Sequence, residues 1–472
     1  MSESAFSSLD DPLGQSLVQA PLDGVGYAQS VIDRFLKLQR DAHRALDEAG
    51  AATEGRRTWI APGRIEVLGK HVDYAGGRSL LCAVERGIVI VVAPRDDRRI
   101  ILRDARRREG LVVPLDESMY PSTQAPLPWS VYPRTVVRRL QKNFDNALVG
   151  ADIALASNLP PAAGVSSSSA LVVGLTLALS AISDLHADPR WNASLVPRTK
   201  LAGYIGAMEN GLDFGALAGD RGVGTLGGAQ DQTAILCSAP GQLNVFGWAP
   251  VRHERSVAWP ADHTFVIAVS GVVAAKTGAA KNRFNRVART AHHLVHAWNA
   301  QGGTAGTLAD AFREAAGGEP TQGVPSALTR VAIEAATDEF SATQLTLRLD
   351  QFHAETWHRV PAAAEAIAQR DWKTFAEVVV ASQRGAEVAL ENQIAETMRL
   401  VIMARELGAV AASAFGAGFG GSVWAMIPAN DADSFMARLR ERYVKQFPQV
   451  AHRMQIFQTQ PSVPAFEVIA AG

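Results

Sequence analysis

Apolar residues recur every three to four positions from Val31 through Ile32, Phe35, Leu36 and Leu38, with charges on the opposite side. That period predicts an amphipathic helix over residues 29–49, stopped by Gly50. The irregular, polar residues before about position 25 read as a loosely ordered tail. Past residue 58 the period falls to two. Ile65 and Val67 alternate with Arg64 and Glu66, which predicts a strand with a charged opposite face. Residues 87–93 and 99–102 are apolar runs around Pro94-Arg95-Asp96-Asp97-Arg98, a hairpin by pattern. Arg103, Arg106, Arg107 and Arg108 follow, interleaved with Asp104 and Glu109, so this hairpin reads as an exposed mixed-charge surface. Helical sequence then spans 129–148, a strand 151–157, an apolar helix 170–182 and another helix 201–210. After a glycine-rich stretch, residues 263–270 open a second unit, with helices over 281–300 and 338–407 and a strand at 422–427.

This alternation predicts an α/β (α+β) chain, and 472 residues are too many for one ordinary core. The expected division is a tail and helix over 1–55, an N-terminal domain over 56–260 and a C-terminal domain over 261–472. A net charge of −1 offers no basic excess for a polyanion, so nucleic acid is excluded as a partner. Cys82 and Cys237 sit in apolar runs without metal spacing and read as reduced core residues. The polar, acidic N-terminus lacks a secretory pattern, and no apolar run reaches membrane-spanning length. A cytoplasmic enzyme or binding protein is expected, as a monomer or homodimer.

Three loops carry the candidate chemistry. Residues 59–81 (WIAPGRIEVLGKHVDYAGGRSLL) crowd Arg64, Lys70, His71 and Asp73 between two buried strands, with glycines at both ends. Residues 159–170 (LPPAAGVSSSSA) join a strand to a helix. Their serines and unsatisfied helix N–H groups form an anion site richer than one cap requires. The loop is neither a Walker A motif nor a G-x-S-x-G elbow. Residues 416–421 (GAGFGG) fit G-x-G-x-x-G formally, but they follow a helix and open a strand, against the dinucleotide fingerprint. A tight loop that brings backbone close to the site fits better. His292, His293 and His296 lack the glutamate of a helical zinc motif and read as a surface helix.

In this order the three loops resemble the GHMP kinase superfamily and, within it, the galactokinases. PGRIEVLGKHVDYAGG is similar to the galactokinase sugar signature, LPPAAGVSSSSA to the phosphate loop and SAFGAGFGGSVWAMI to the third motif. GGAQDQ and AMEN are similar to the segments carrying the catalytic aspartate and a metal-binding glutamate. The likeness runs from about Trp59 to the C-terminus. It implies two α/β domains with the active site between them, and an ATP-dependent kinase acting on the C1 hydroxyl of galactose or a related sugar. Asp231 would face the sugar hydroxyl, and Arg64 would pair with it and stabilise the transferred phosphoryl charge. Ala162, Ala163, Gly164, Val165, Ser166, Ser167 and Ser168 would cradle ATP. Ser168 and Glu209 would hold Mg²⁺, and His71 and Asp73 would bind the sugar.

Departures from the resemblance fall on the sugar side. Lys70 stands where galactokinases have glutamate, Glu66 where they have asparagine, and Phe284 where a tyrosine touches the sugar. Ala162 replaces a glycine of the phosphate loop. An ammonium donates hydrogen bonds and accepts none. Lys70 would therefore suit a hexuronate carboxylate such as galacturonate, or it would turn inward to a partner such as Glu66. A non-catalytic sugar and ATP sensor is a further reading, against which the retained Asp231, Arg64, Glu209 and Ser168 argue. A homoserine or mevalonate kinase is a weaker one, because the HVDYAGG stretch is of sugar type.

Overall fold

Residues 57–68 and 78–95 are two long runs buried almost end to end, the second dominated by Val, Ile and Leu. Such runs belong to strands covered on both faces. The computed structural model describes residues 18–106, 110–116, 129–272 and 278–470. In chain order its strands are β1 (Val18–Ala20), β2 (Arg57–Leu68), β3 (Arg78–Arg95), β4 (Arg99–Asp104), β5 (Gly110–Pro114), β6 (Gly150–Ser157) and β7 (Gln242–Gly247). They continue as β8 (Arg252–Ala258), β9 (His263–Val269), β10 (Ala411–Ala414), β11 (Ser422–Pro428), β12 (Gln455–Thr459), β13 (Pro461–Ser462) and β14 (Phe466–Val468). The larger sheet runs β1-β14-β2-β3-β6-β4-β5, with β7 and β13 on β3 and β8 on β7. The smaller sheet is antiparallel, in the order β10-β11-β9-β12.

Helices cover both faces of the larger sheet. The amphipathic α1 (Gln29–Glu48) lays Val31, Phe35, Leu38 and Leu46 against Val89 and Val91 of β3 and Ala154 of β6. On the other face lie α2 (Val131–Asn143), α3 (Ser167–Ile182), α4 (Pro189–Leu195), α5 (Arg198–Asn210) and α6 (Gln230–Cys237). α3 is apolar all round, as a helix sandwiched between a sheet and other helices must be. Fully burying one side chain such as Leu175 contributes about 1.5–3 kcal/mol, so α3 is fixed firmly and its N-terminus with it. Over the smaller sheet, Leu400, Phe435, Leu439 and Tyr443 close one face. α7 (Gly278–Ala300) and the helix Ala342–His353 fill the space beside the sugar-type loop.

The mixed α/β architecture is as expected, with three differences. β3 and β4 do not form a hairpin, because β6 inserts between them and pairs antiparallel to β3 and parallel to β4. Local charge and turn pattern cannot reveal a strand that arrives about fifty residues later. Of the expected tail, residues 18–20 form β1, which pairs parallel with β14 near the other end of the chain. Residues 1–17 lie outside the described residues. The expected boundary at 260 falls between β8 and β9, one in each sheet, yet β13 and β14 return to the larger sheet. A division by sheet is therefore not a division by sequence. No helix of the described residues is long and apolar enough to cross a membrane.

Candidate active site

β2 delivers the first group of site residues through two irregularities in its pairing with β3, between Pro62 and Arg64 and between Glu66 and Leu68. Such breaks re-aim side chains locally. Gly63 lets this corner pack, since a Cβ there would lie 2.7 Å from the Val165 carbonyl. Arg64, 3% exposed, then sends Nε and Nη2 to Asp231 Oδ1, each at 2.7 Å. Its Nη1 donates to the Gly164 carbonyl at 2.5 Å. One guanidinium thus joins the expected catalytic carboxylate to the expected phosphate loop. Asp231 lies in the first turn of α6, where the helix dipole favours a carboxylate. Its Oδ2 is reached by the Ser169 hydroxyl at 3.4 Å.

The phosphate-type loop is folded as an anion cradle. Ala162, Gly164 and Ser166 all have positive φ, and the turn drops directly into α3, which begins at Ser167, three residues before the sequence pattern placed it. The Ser166 hydroxyl is buried without a hydrogen-bond partner. The third glycine loop braces this cradle. Ser422 Oγ donates to the Ala163 carbonyl at 2.6 Å, and a Cβ on Gly421 would come within 3.1 Å of the same oxygen. Residues 416–421 therefore work by close backbone approach, the role expected of them.

The sugar-type loop is held from outside by one helix. Glu355 accepts from the Gly69 N–H at 2.9 Å, Gln351 Nε2 donates to the Lys70 carbonyl at 3.1 Å, and Arg348 Nη2 donates to the His71 carbonyl. Residues 348, 351 and 355 share a helix face, continued through the π-helical turn Ala354–Arg359. Asp73 Oδ2 accepts from the Gly228 and Gln230 N–H groups at 2.9 and 3.3 Å. Burial and the nearby Asp231 charge push the Asp73 carboxyl up to about 6, against stabilising backbone N–H bonds from Tyr74 and Gln230.

Arg64, Glu66, His71, Asp73, Glu209, Asp231 and Phe284 line one cavity of about 60 Å³, closed by Tyr74, Gln230 and the backbone at Gly228 and Gly416. Phe284 packs on His71 with ring centroids 5.2 Å apart. Lys70 is the exception. It is fully buried and does not line the cavity. Its Nζ donates to the Ala414 carbonyl at 2.5 Å and lies 4.0 Å from Glu66 Oε1. Direct contact between Lys70 and a substrate carboxylate is therefore not what this geometry offers; the inward-turned alternative is. Glu66 stands between Lys70 and the cavity and accepts from Gln230 Nε2 at 2.5 Å. Burial pushes the Glu66 carboxyl up and the Lys70 ammonium down, while each charge holds the other partly in place.

Glu209 Oε1 accepts from Gln232 Nε2 at 2.6 Å; the Tyr132 hydroxyl hydrogen-bonds Ser168, and burial together with the Glu209 charge raises its pKa. The histidines of α7 have other duties: His293 Nε2 meets the Ala335 carbonyl at 2.7 Å and the His292 ring packs on Tyr74. Sequence reasoning missed Gln230, Gln232, Tyr74 and the 348–351–355 clamp. The two glutamines flank Asp231 and were within reach of a motif reading. The clamp was not, because it joins residues about 280 positions apart.

Comparison with known proteins agrees with this geometry. The galactokinase galactose-binding signature matches residues 47–94, the GHMP kinases N terminal domain residues 131–238, and the GHMP kinases C terminal region residues 363–445. A galacturonokinase of Arabidopsis thaliana is 26% identical over 437 residues, covering 87% of this chain and 93% of the relative. The fold is similar to Lactococcus lactis galactokinase complexed with galactose, at a TM-score of 0.69 and 19% identity over 91% of this chain and 99% of that one. It is also similar to the Lin0012 protein from Listeria innocua, at a TM-score of 0.54 and 12% identity over 88% of this chain and 100% of that one. The three matched segments stand in family order and contain the loops that meet at the cavity. The chain belongs to the GHMP kinase superfamily, as a galactokinase-like, ATP-dependent sugar kinase.

Proposed function

We propose that this kinase transfers the γ-phosphoryl group of ATP to the anomeric hydroxyl of a galactose-configured hexose. The Arg64–Asp231 pair carries the reading. The guanidinium occupies Asp231 Oδ1 and the Gly164 carbonyl, which turns Oδ2 to the acceptor hydroxyl and places positive charge beside the phosphate cradle. Phosphoryl transfer asks chiefly for positioning and charge stabilisation, and this arrangement supplies both. ATP phosphates would lie on residues 162–168, against the N-terminus of α3 and the Ser166 hydroxyl. Asp73 and His71 would hold ring hydroxyls, with Phe284 as the apolar wall.

Ser168 and Glu209 fit Mg²⁺. They are hard oxygen donors, Ser168 hydrogen-bonded to a Tyr132 hydroxyl that feels the Glu209 charge, and Gln232 Oε1, on the side chain that donates to Glu209, is buried without a partner. One carboxylate and one hydroxyl suit an ion that keeps waters and phosphate oxygens as its remaining ligands. When bound, the ion would neutralise phosphate charge.

A hexuronate is the second reading. The likeness to a galacturonokinase and the lysine at position 70 support it, with the contact moved from Lys70 to Glu66. Burial favours the acid form of Glu66, and that form would donate a hydrogen bond to a sugar carboxylate. ATP-coupled turnover of galactose, galacturonate, glucose, glucuronate and N-acetylgalactosamine tests both readings. Galacto-configured sugars should exceed their gluco epimers by about tenfold or more in kcat/KM, because unmade bonds leave buried polar groups unsatisfied. Equal turnover of the epimers, or none at all, would overturn the proposal. Preference for galacturonate over galactose would select the second reading.

Two further outcomes are expected at Asp73. As pH falls through about 6 its carboxyl takes up a proton and ceases to be a charged acceptor, so kcat/KM for the sugar should fall over that range. The limb should be missing from the profile of Asp73→Asn. In Gly228→Ala a new Cβ would sit 2.5 Å from Asp73 Oδ2, so the carboxylate must move. The KM for sugar should rise roughly ten- to a hundredfold while the KM for ATP holds.

A further inference from the structure

Behind the sugar-type loop lies a second cavity, of about 190 Å³, whose walls include Arg283, Arg286, Arg348, Gln344, Leu390 and Phe419. Among the described residues none of its three arginines is ion-paired with a carboxylate, whereas Arg289, one turn along α7, pairs with Glu339 at 2.9 Å. Arg286 Nη2 donates to the Glu339 carbonyl at 2.8 Å and to Gln344 Oε1 at 3.1 Å, both neutral acceptors. Arg283 is exposed and stacks on the Phe419 ring, 5.2 Å from its centroid. Arg348 is 1% exposed, and its Nε has no hydrogen-bond partner. Against three guanidiniums the wall sets one carboxylate, Glu391, which accepts from Gln344 Nε2 at 3.4 Å.

A pocket with this charge excess and a buried, incompletely bonded guanidinium is built for an anion. Arg forks match tetrahedral phosphate oxygens, and Phe419 and Leu390 offer an apolar wall for a small organic group. The cavity also touches the active site by construction. Arg348 Nη2 donates to the His71 carbonyl and reaches the Tyr74 hydroxyl at 3.4 Å, and His71 and Tyr74 line the sugar cavity. Arg283 and Phe284 are adjacent on α7 but serve different cavities.

We infer that this cavity is a second, non-catalytic site for a phosphate dianion, either free phosphate or a phosphate monoester, and that Arg348 couples its occupancy to sugar binding. The binding claim is independent of the kinase substrate; the coupling claim rests on the sugar-kinase reading. Calorimetric titration of inorganic phosphate is made into the full chain already saturated with Mg²⁺ and a non-hydrolysable ATP analogue, which fills the phosphate cradle of residues 162–168. One phosphate site should remain. It should weaken about ten- to a hundredfold in Arg283→Ala and in Arg286→Gln. Arg283 is exposed, so its variant tests the site without risk to folding, and its turnover without phosphate should match wild type. In wild type, with ATP fixed at saturation and no analogue present, phosphate should change the sugar KM while leaving kcat, and this shift should vanish in Arg283→Ala. Titration of galactose 1-phosphate in the same way distinguishes the sources. Tighter binding than phosphate that weakens in Arg283→Ala assigns a monoester to this cavity, and equal binding assigns free phosphate. The absence of a phosphate site in the analogue-saturated protein, or a site indifferent to both substitutions, would overturn the inference.

Discussion

Asp231→Asn should lower kcat by about a thousandfold while leaving ATP affinity within about twofold of wild type. Asparagine keeps the size of the side chain and an oxygen for Arg64, so the hydrogen bond from Arg64 Nε, 2.7 Å in the native chain, can persist. What is lost is the charge and basicity facing the acceptor hydroxyl. ATP phosphates are assigned to the cradle of residues 162–168, which Asp231 does not form. Steady-state kinetics with a separate nucleotide-binding titration would decide it. Substantial turnover by the variant would remove Asp231 from the chemical step. Equal loss of turnover and nucleotide binding would point instead to collapse of the Arg64 bridge between α6 and the phosphate loop.

The second large effect lies in the buried Lys70–Glu66 pair. Lys70→Glu replaces a fully buried ammonium, 4.0 Å from Glu66 Oε1, with a carboxylate. Glu355, itself fully buried, adds a further acidic charge to that neighbourhood. Breaking a buried pair typically costs about 3–5 kcal/mol because the surviving charge loses its partner, and like charge makes it worse. Adding Glu66→Asn, which recreates the galactokinase-type arrangement, should recover more than half of that loss. Denaturant unfolding followed by tryptophan fluorescence measures each variant, and the interaction term of the cycle should be well above about 0.5 kcal/mol. Additive losses would show that the two positions act separately.

Much of the site was legible because its motifs are local. Arg64, His71 and Asp73 sit in one loop, the serines in another and Asp231 between two glutamines, so residue type and spacing announced them. The helices and strands with strong periodicity, such as α1 and β6, followed the pattern within a few residues. What sequence leaves open or misplaces has a different physics. The motif leaves Lys70 either on a substrate carboxylate or turned inward to Glu66, and the direction of a long side chain is set by what surrounds it. Here the Ala414 carbonyl and Glu66 supply a desolvated partner set that a motif cannot display. The charged turn at residues 94–98 reads locally as a hairpin closure, yet β6 takes the place between its arms. The clamp of Arg348, Gln351 and Glu355 on residues 69–71 is likewise a tertiary fact, made by a helix whose own pattern is unremarkable in sequence.

This split explains why family and substrate are unequally visible. The proposed phosphate cradle is built of backbone turns and a helix terminus, which glycines and serines encode directly. The proposed sugar side instead rests on which of several buried polar groups keeps its charge. Relative to the galactokinase pattern the acidic residue moves from position 70 to position 66 and a lysine takes its former place, so the pair is internally compensated. The cavity therefore presents Glu66, backed by a lysine, in place of the family's loop glutamate.

The position of the transferred phosphate tests the central claim most directly. The purified protein, incubated with ATP, Mg²⁺ and whichever galacto-configured sugar turns over fastest, should yield a product whose phosphorus NMR signal couples to the anomeric proton. Phosphorus coupled to any other ring proton or to C6 protons, or release of inorganic phosphate alone, would contradict the assignment of Asp231 and Arg64 to the C1 hydroxyl.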